Sequence, residues 1–365
     1  MCARGECKLR IAYFARCDAG TENGVLKKVV SQVESWRGAG HEAQLFLISR
    51  ATDVWKPAQT AIGAIVSDAN KLARVRNMSL LARKIEAWRP DIVYARFDPQ
   101  VTSLANMMRR VPTVLELNTD DVIEYRTYLP AYRYWYHRLT RGKILGRAAG
   151  FVCVTGEIAA RLERFGRPMT VVANGVDLDE YEPLPPTASG LPRLVFSGSP
   201  GARWHGVDKI IDLGRKLPQV HVDLIGPSPE SGLPPNVVAH GMLARKDYET
   251  LLAQADVAIG TLAMHRNSMD EGSTLKVREY LAFGLPCVIG YRDADFPEPV
   301  PFILQLPNTP DNAVDAAEAI ERFCIAWQGR RVPRNQIAHL DISVKELRRL
   351  AFLHEVVRDR KAIPA

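Results

Sequence analysis

Residues 270–291 read DEGSTLKVREYLAFGLPCVIGY, and within them Glu271 and Glu279 bracket seven residues that include Lys276. Two kinds of chemistry use these residue types at this spacing. One is helix capping. Ser273 or Thr274 can cap a helix start, Asp270 and Glu271 suit its positive end, Lys276 can pair with Glu279 or Tyr280, and Gly284 with Pro286 supplies the stop. The other is capture of a sugar joined to a diphosphate. Free N–H groups at Gly272, Ser273 and Thr274 would form an anion site, and the carboxylates would accept hydrogen bonds from sugar or ribose hydroxyls. Spacing alone is satisfied by capping, so neighbouring loops must decide.

A second loop, residues 197–209 (SGSPGARWHGVDK), brings glycines, Ser199, Arg203, His205 and Lys209 to another helix start. A departing diphosphate gathers charge as its bond to the sugar breaks, and cations and amides at such a junction stabilise it. A dinucleotide reading is weaker. GSPGARWHG misses the G-x-G-x-x-G spacing, and although Asp223 follows near a second strand, Glu271 and Glu279 stay unexplained. His205, His221, His240 and His265 are scattered over separate loops, so no metal site is expected.

Other stretches leave two readings open. Arg96, Asp120 and Arg126 follow strands and suit either acceptor contacts or surface loop. Residues 128–149, YLPAYRYWYHRLTRGKILGRAA, interleave aromatics with cations. They fit an anionic membrane presenting a lipid-linked acceptor, or a helix with its aromatics packed inward and its cations solvated. The ragged periodicity favours the inward packing. Nucleic acid is not an expected partner, because the basic residues are not gathered onto one face.

The elements that must position these residues alternate along the chain. Apolar runs such as LRIAYF, AQLFLIS, DIVYARF, PTVLELN, GFVCVT and MTVVAN are separated by helical stretches, which is the pattern of parallel sheet. EPLPPTASGLP, 182–192, interrupts it as a linker, and the alternation restarts with RLVFSGS, VHVDLIG, NVVAHG, DVAIGTL, PCVIGY and FILQL. Two doubly wound α/β domains are expected: residues 1–174 for the acceptor, a hinge at 175–192, residues 193–342 for the nucleotide sugar, and a last helix, 343–365, returning to the first domain. Ligands in such sheets bind beyond the carboxyl ends of the strands. A length of 365 residues fits two cores, and a net charge of +7 fits an anionic ligand or membrane surface. No run approaches the roughly 18 apolar residues of a membrane span. Six cysteines without metal spacing read as reduced thiols of a cytoplasmic protein.

The E-x(7)-E pattern of Glu271 and Glu279 with the following Gly-Leu-Pro resembles the donor signature of retaining glycosyltransferases of the glycogen-synthase-like group, glycosyltransferase family four. VVANGVDLDEY, FSGSPGARWHGVDKI, RPDIVYAR and GRAAGFVCVTGEI are similar to further family segments, so the likeness covers nearly all the chain. It implies a GT-B fold, two Rossmann-like domains facing across a cleft. By the same resemblance Glu271 would bind the transferred sugar, with backbone N–H groups from Gly272 through Ser273 and Thr274 to Leu275 holding sugar and phosphate. Glu279 would bind ribose, Gly24 would allow close approach to phosphate or acceptor, and the loop at Gly241 and Met242 would meet the base. The family's usual Arg and Lys slots hold Ser199 and His205 here, so Arg203 or Lys276 would supply the charge. A family histidine corresponds to Asn118, which can bond a hydroxyl but cannot act as a base. The implied reaction is metal-independent retaining transfer from a nucleoside diphosphate sugar to a saccharide or lipid-linked acceptor, without a cofactor, in surface polysaccharide assembly, in the cytoplasm or peripherally at the inner membrane face. A sugar-nucleotide epimerase and a catalytically silent binder of sugar nucleotides stay open as alternatives.

Overall fold

The computed structural model describes residues 8–20, 24–51, 53–68, 71–97, 104–186, 190–227 and 232–362. The chain divides into two compact units, Met1–Ala173 with Ile342–Ala365, and Asn174–Asp341.

The first unit is built on seven strands: β1 Arg10–Arg16, β2 Glu42–Ser49, β3 Ile62–Ser67, β4 Ile92–Arg96, β5 Thr113–Leu117, β6 Gly150–Cys153 and β7 Met169–Val171. Their spatial order is β3-β2-β1-β4-β5-β6-β7, and every pairing is parallel. Parallel strands of such a sheet bury nearly every side chain, which is why β1 holds the apolar run Ile11–Ala15 and why even Thr113 and Glu116 of β5 are buried. Its core gathers Tyr13, Trp36 and Tyr94, whose rings pack 5.1–5.6 Å apart. The Ile342–Ala362 helix completes this unit through a buried polar network. Glu346 accepts from Trp36 and Gln32, and Arg349 pairs with Glu346 at 2.5 Å and donates to the Val172 carbonyl. Lys28 pairs with Glu116 at 2.8 Å in the same interior. Lys28 and Arg349 hold the Glu116 carboxyl down at about 2 against the opposing effect of burial.

In the second unit β8 Arg193–Ser197, β9 His221–Ile225, β10 Val237–Gly241, β11 Val257–Ile259, β13 Cys287–Ile289 and β15 Ile303–Gln305 form a parallel sheet in the order β10-β9-β8-β11-β13-β15. A two-residue ribbon pairs β12 Glu271–Gly272 with β14 Arg292–Asp293. The mixed α/β architecture is the one expected. The stretch expected as a hinge, 175–192, instead belongs to the second unit, and the boundary lies between Ala173 and Asn174. Its prolines cannot donate N–H groups. Its packing runs through Leu184, whose amide donates to Phe283, and through Arg331, which holds the carbonyls of Leu184 and Pro185.

The aromatic stretch is also arranged differently from the expected inward packing. It divides at Pro130 into helices Asp121–Tyr128 and Ala131–Leu145. His137 and Arg141 are buried with Ile144 and Leu145, and both are bonded to Asp121, while Tyr132, Trp135, Tyr136 and Leu139 are 54–79% exposed. A buried carboxylate needs paired donors, and that requirement turns His137 and Arg141 inward while Arg138 and Lys143 stay exposed. No helix of the described residues is long and apolar enough to cross a membrane.

Candidate functional site

The Glu271 loop is fixed from below by one buried cation. Arg278, fully buried, donates to both oxygens of Asp293 at 2.8 and 2.7 Å, to Asp295 at 3.0 Å, to the Asn174 carbonyl at 3.1 Å and to Ser273 Oγ at 3.1 Å. The two aspartates hold its guanidinium well above the ordinary arginine range although burial opposes this. Ser273 Oγ also accepts from the Asn174 amide, and Thr274 Oγ1 shares a 2.9 Å hydrogen bond with Tyr291. Gly272 is required here, because a Cβ would approach Met264 and the Tyr291 ring within 2.9 Å.

These contacts overturn the capping expectation. Thr274 stands at the N-cap of the Leu275–Ala282 helix without a side-chain cap bond, and Ser273 points to Asn174 and Arg278. The Val277 amide reaches the Thr274 carbonyl, whereas the amides of Leu275 and Lys276 have no acceptor among the described residues. A helix start with open N–H groups results.

Lys276 sits beside them. Its Nζ lies 4.3 Å from the centre of the Phe196 ring, is buried, and has no hydrogen-bond partner among the described residues. Burial alone pulls its ammonium down to about 7. The pairing with Glu279 or Tyr280 expected at helical spacing does not form. Glu279 accepts from Tyr248 at 3.1 Å, and Tyr280 Oη accepts from the Ser197 amide at 2.7 Å. Phe196 also packs against His205 at 5.5 Å between ring centres. Burial, with the Lys276 charge, depresses that imidazole to about 3, so His205 is neutral at physiological pH.

The second loop supplies the rest of this edge. Ser199, Arg203 and Arg266 line a cavity of about 570 Å³. Arg266 is committed to Asp208 and to the Arg203 carbonyl, and the Arg203 residue is exposed. Lys209, expected among the diphosphate donors, instead spends its ammonium on the carbonyls of Leu262 and Thr309 and on Asn312. The Gly226 amide donates to the Gly241 carbonyl, and a Cβ on Gly226 would stand 1.9 Å from the Gly198 carbonyl oxygen. The ends of β8, β9 and β10 therefore close on one another, with Met242 77% exposed just beyond. Asp223, the acid of the dinucleotide reading, is buried under Arg193, His221 and His240, a structural hub rather than a ribose ligand.

The residues expected in the first unit do not all meet. Asn118 Oδ1 accepts from Lys28 at 2.8 Å, while its buried Nδ2 has no partner among the described residues. Asn118 and Arg96 line a separate cavity of about 470 Å³ together with Arg16, Arg50, Tyr125 and Arg133. Arg126 is exposed and does not line it. Asp120 caps the Asp121–Tyr128 helix through the Ile123 amide at 2.8 Å and also pairs with Arg161, so both of its oxygens are occupied. Gly24 opens the Gly24–Gly38 helix; residues 21–23, with Asn23, and residues 98–99 of RFDP lie outside the described residues. Sequence reasoning missed Arg278, Arg16, Arg50 and Arg133, whose partners and neighbours come from distant segments.

The family model described as Glycosyltransferase Family 4 matches residues 23–180. No curated protein sequence matches. Among solved structures, sucrose-phosphate synthase from Thermosynechococcus elongatus aligns with a TM-score of 0.70 at 16% identity, covering 96% of this chain and 100% of that one. A glycosyltransferase from Rickettsia africae gives 0.67 at 14%, covering 95% and 99%. The Anabaena protein HepE, in complex with UDP and glucose, gives 0.65 at 14%, covering 94% and 99%. The expected resemblance to family-four glycosyltransferases and the GT-B fold is borne out.

Proposed function

We propose that this chain, which carries the Glycosyltransferase Family 4 match at residues 23–180 on a GT-B fold, is a retaining glycosyltransferase. Its donor is a nucleoside diphosphate sugar, and its acceptor a saccharide or lipid-linked saccharide of surface polysaccharide assembly. The observation that carries the donor is the buried, partnerless Lys276 ammonium beside two amides without acceptors. One diphosphate satisfies all three, and its growing charge in the transition state strengthens each contact. The UDP and glucose of HepE make a UDP-hexose the first candidate.

In this reading Arg203 adds a second cation from the cavity beside the β8 loop, and Glu271 orients the sugar. Glu279, already bonded to Tyr248, accepts from the ribose, and the Gly241 and Met242 loop meets the base. Lys276, Arg203 and the amides together supply counter-charge without a metal. The departing phosphate takes the acceptor proton, because Asn118 cannot. The outward aromatics and cations of the Ala131–Leu145 helix suit a peripheral stay at an anionic membrane.

Thermal-shift measurements against UDP-, GDP- and ADP-sugars test the donor, since a ligand of the folded state raises the melting temperature. With the donor so identified, Glu271→Ala should keep the shift and the far-UV spectrum while losing transfer. Wild-type turnover in that variant would remove the assignment.

A further inference from the structure

The 470 Å³ cavity of the first unit lies outside the donor site proposed above, and its lining is rich in arginine. Arg16 is the last residue of β1, Arg50 directly follows β2, and Arg96 is the last residue of β4. Because β2, β1 and β4 are parallel neighbours, their carboxyl ends deliver three guanidinium groups to one edge, and Arg133 of the Ala131–Leu145 helix brings a fourth. Two acids share the lining, Asp121 and Glu124. Asp121 is already neutralised by Arg141 and His137, and Glu124 accepts from Thr119. Arg16 is paired with Asp68 at 2.8 Å. The guanidinium groups of Arg50, Arg96 and Arg133 have neither an ion pair nor a hydrogen bond among the described residues, and that of Arg133 lies 6.0 Å from the centre of the Tyr132 ring. At the floor the Asn118 Nδ2 donor is buried and unmatched, and Phe97, Tyr125 and Tyr128 add aromatic wall.

We propose that this pocket binds a phosphoryl group of the acceptor, with an adjoining sugar ring against the aromatic wall. Three uncommitted guanidiniums exceed the need of a single carboxylate, and their fork geometry matches phosphate oxygens. Resting on the transferase reading, the inference narrows its acceptor to a phosphorylated or pyrophosphorylated saccharide. The same anion could come from a soluble sugar phosphate or from a prenyl pyrophosphate.

The test is calorimetric titration of the full chain with inorganic pyrophosphate, glucose 6-phosphate and farnesyl pyrophosphate. It is run on wild type, Arg96→Gln/Arg133→Gln and Lys276→Met. Pyrophosphate affinity should fall about tenfold or more in the double variant, as expected for lost charge-assisted bonds. One titration step should survive in Lys276→Met. Arg50→Gln, at an exposed position, should show a smaller loss and guards against a folding defect in the double variant. Tighter farnesyl pyrophosphate assigns the lipid source, and tighter glucose 6-phosphate the soluble one. Unchanged binding in both arginine variants, or no binding by wild type, overturns the pocket while a sugar-nucleotide thermal shift leaves the transferase reading standing. Conversely, arginine-dependent binding without any such shift keeps the pocket and sinks that reading.

Discussion

Two sites of the molecule, one in each unit, treat charge in opposite ways. Around Glu271 the cation Arg278 is sealed under the loop and spent on Asp293, Asp295, Asn174 and Ser273. In the first unit Arg50, Arg96 and Arg133 stand at the rim of an open cavity. A sealed ion pair is expensive to dehydrate and gives back a fixed backbone, whereas arginines left partly in water, Arg50 exposed and Arg96 and Arg133 half-buried, cost less in folding. On the proposed function, the contrast suits a fixed donor site and an acceptor site that can vary. Lys276 joins the two styles, being sealed like Arg278 and partnerless like Arg96.

The comparison breaks first at Arg278. Arg278→Met strips the buried Asp293 of its cation and should destabilise the chain by about 3–5 kcal/mol, read by urea unfolding. A loss under about 1 kcal/mol would mean the sealed pair is as dispensable as a surface one. Next in size, Glu271→Ala should lower kcat by about a hundredfold or more at unchanged stability, as for removal of a positioned transition-state contact.

Lys276→Met sharpens the contrast. With the folded ammonium near 7 and its ordinary value at 10.5, the unfolded chain holds a proton that the folded chain lacks between those values. Stability contributed by this group therefore rises with pH across that window. Donor binding, which needs the charged form, should instead weaken as pH rises above about 7 and be accompanied by proton uptake. The methionine variant should lose both dependences; calorimetry in buffers of different ionisation enthalpy reads the proton. The smallest effect belongs to a helix cap of the first unit. Asp120→Ala removes a helix cap and should cost about 1 kcal/mol, measured by thermal melting.

Much of the framework was legible because parallel strands bury both faces, and runs such as RIAYFAR announce themselves. β3, IGAIVS, escaped notice, since an edge strand with half-exposed positions breaks the run. The open helix start at Leu275 was readable from residue types, but the fate of Ser273 and Thr274 was not. Their partners, Asn174 and Tyr291, come from other segments. Arg278 was hidden for the same reason, its aspartates lying beyond the next strand. The arginines of the first unit are spread over more than a hundred positions; strand order assembles three of them and the Ala131–Leu145 helix adds the fourth.

The helix Ile342–Ala362, which anchors Glu346 and Arg349 within the first unit, has a bearing on biosynthesis. A ribosome releases residues 1–173 long before their closing helix exists, so Glu116 and Lys28 must wait in an unfinished interior while the second unit is made and can mature. Nascent chains arrested ahead of Ile342 should accordingly be protease-resistant in their later half and cleavable in their earlier one.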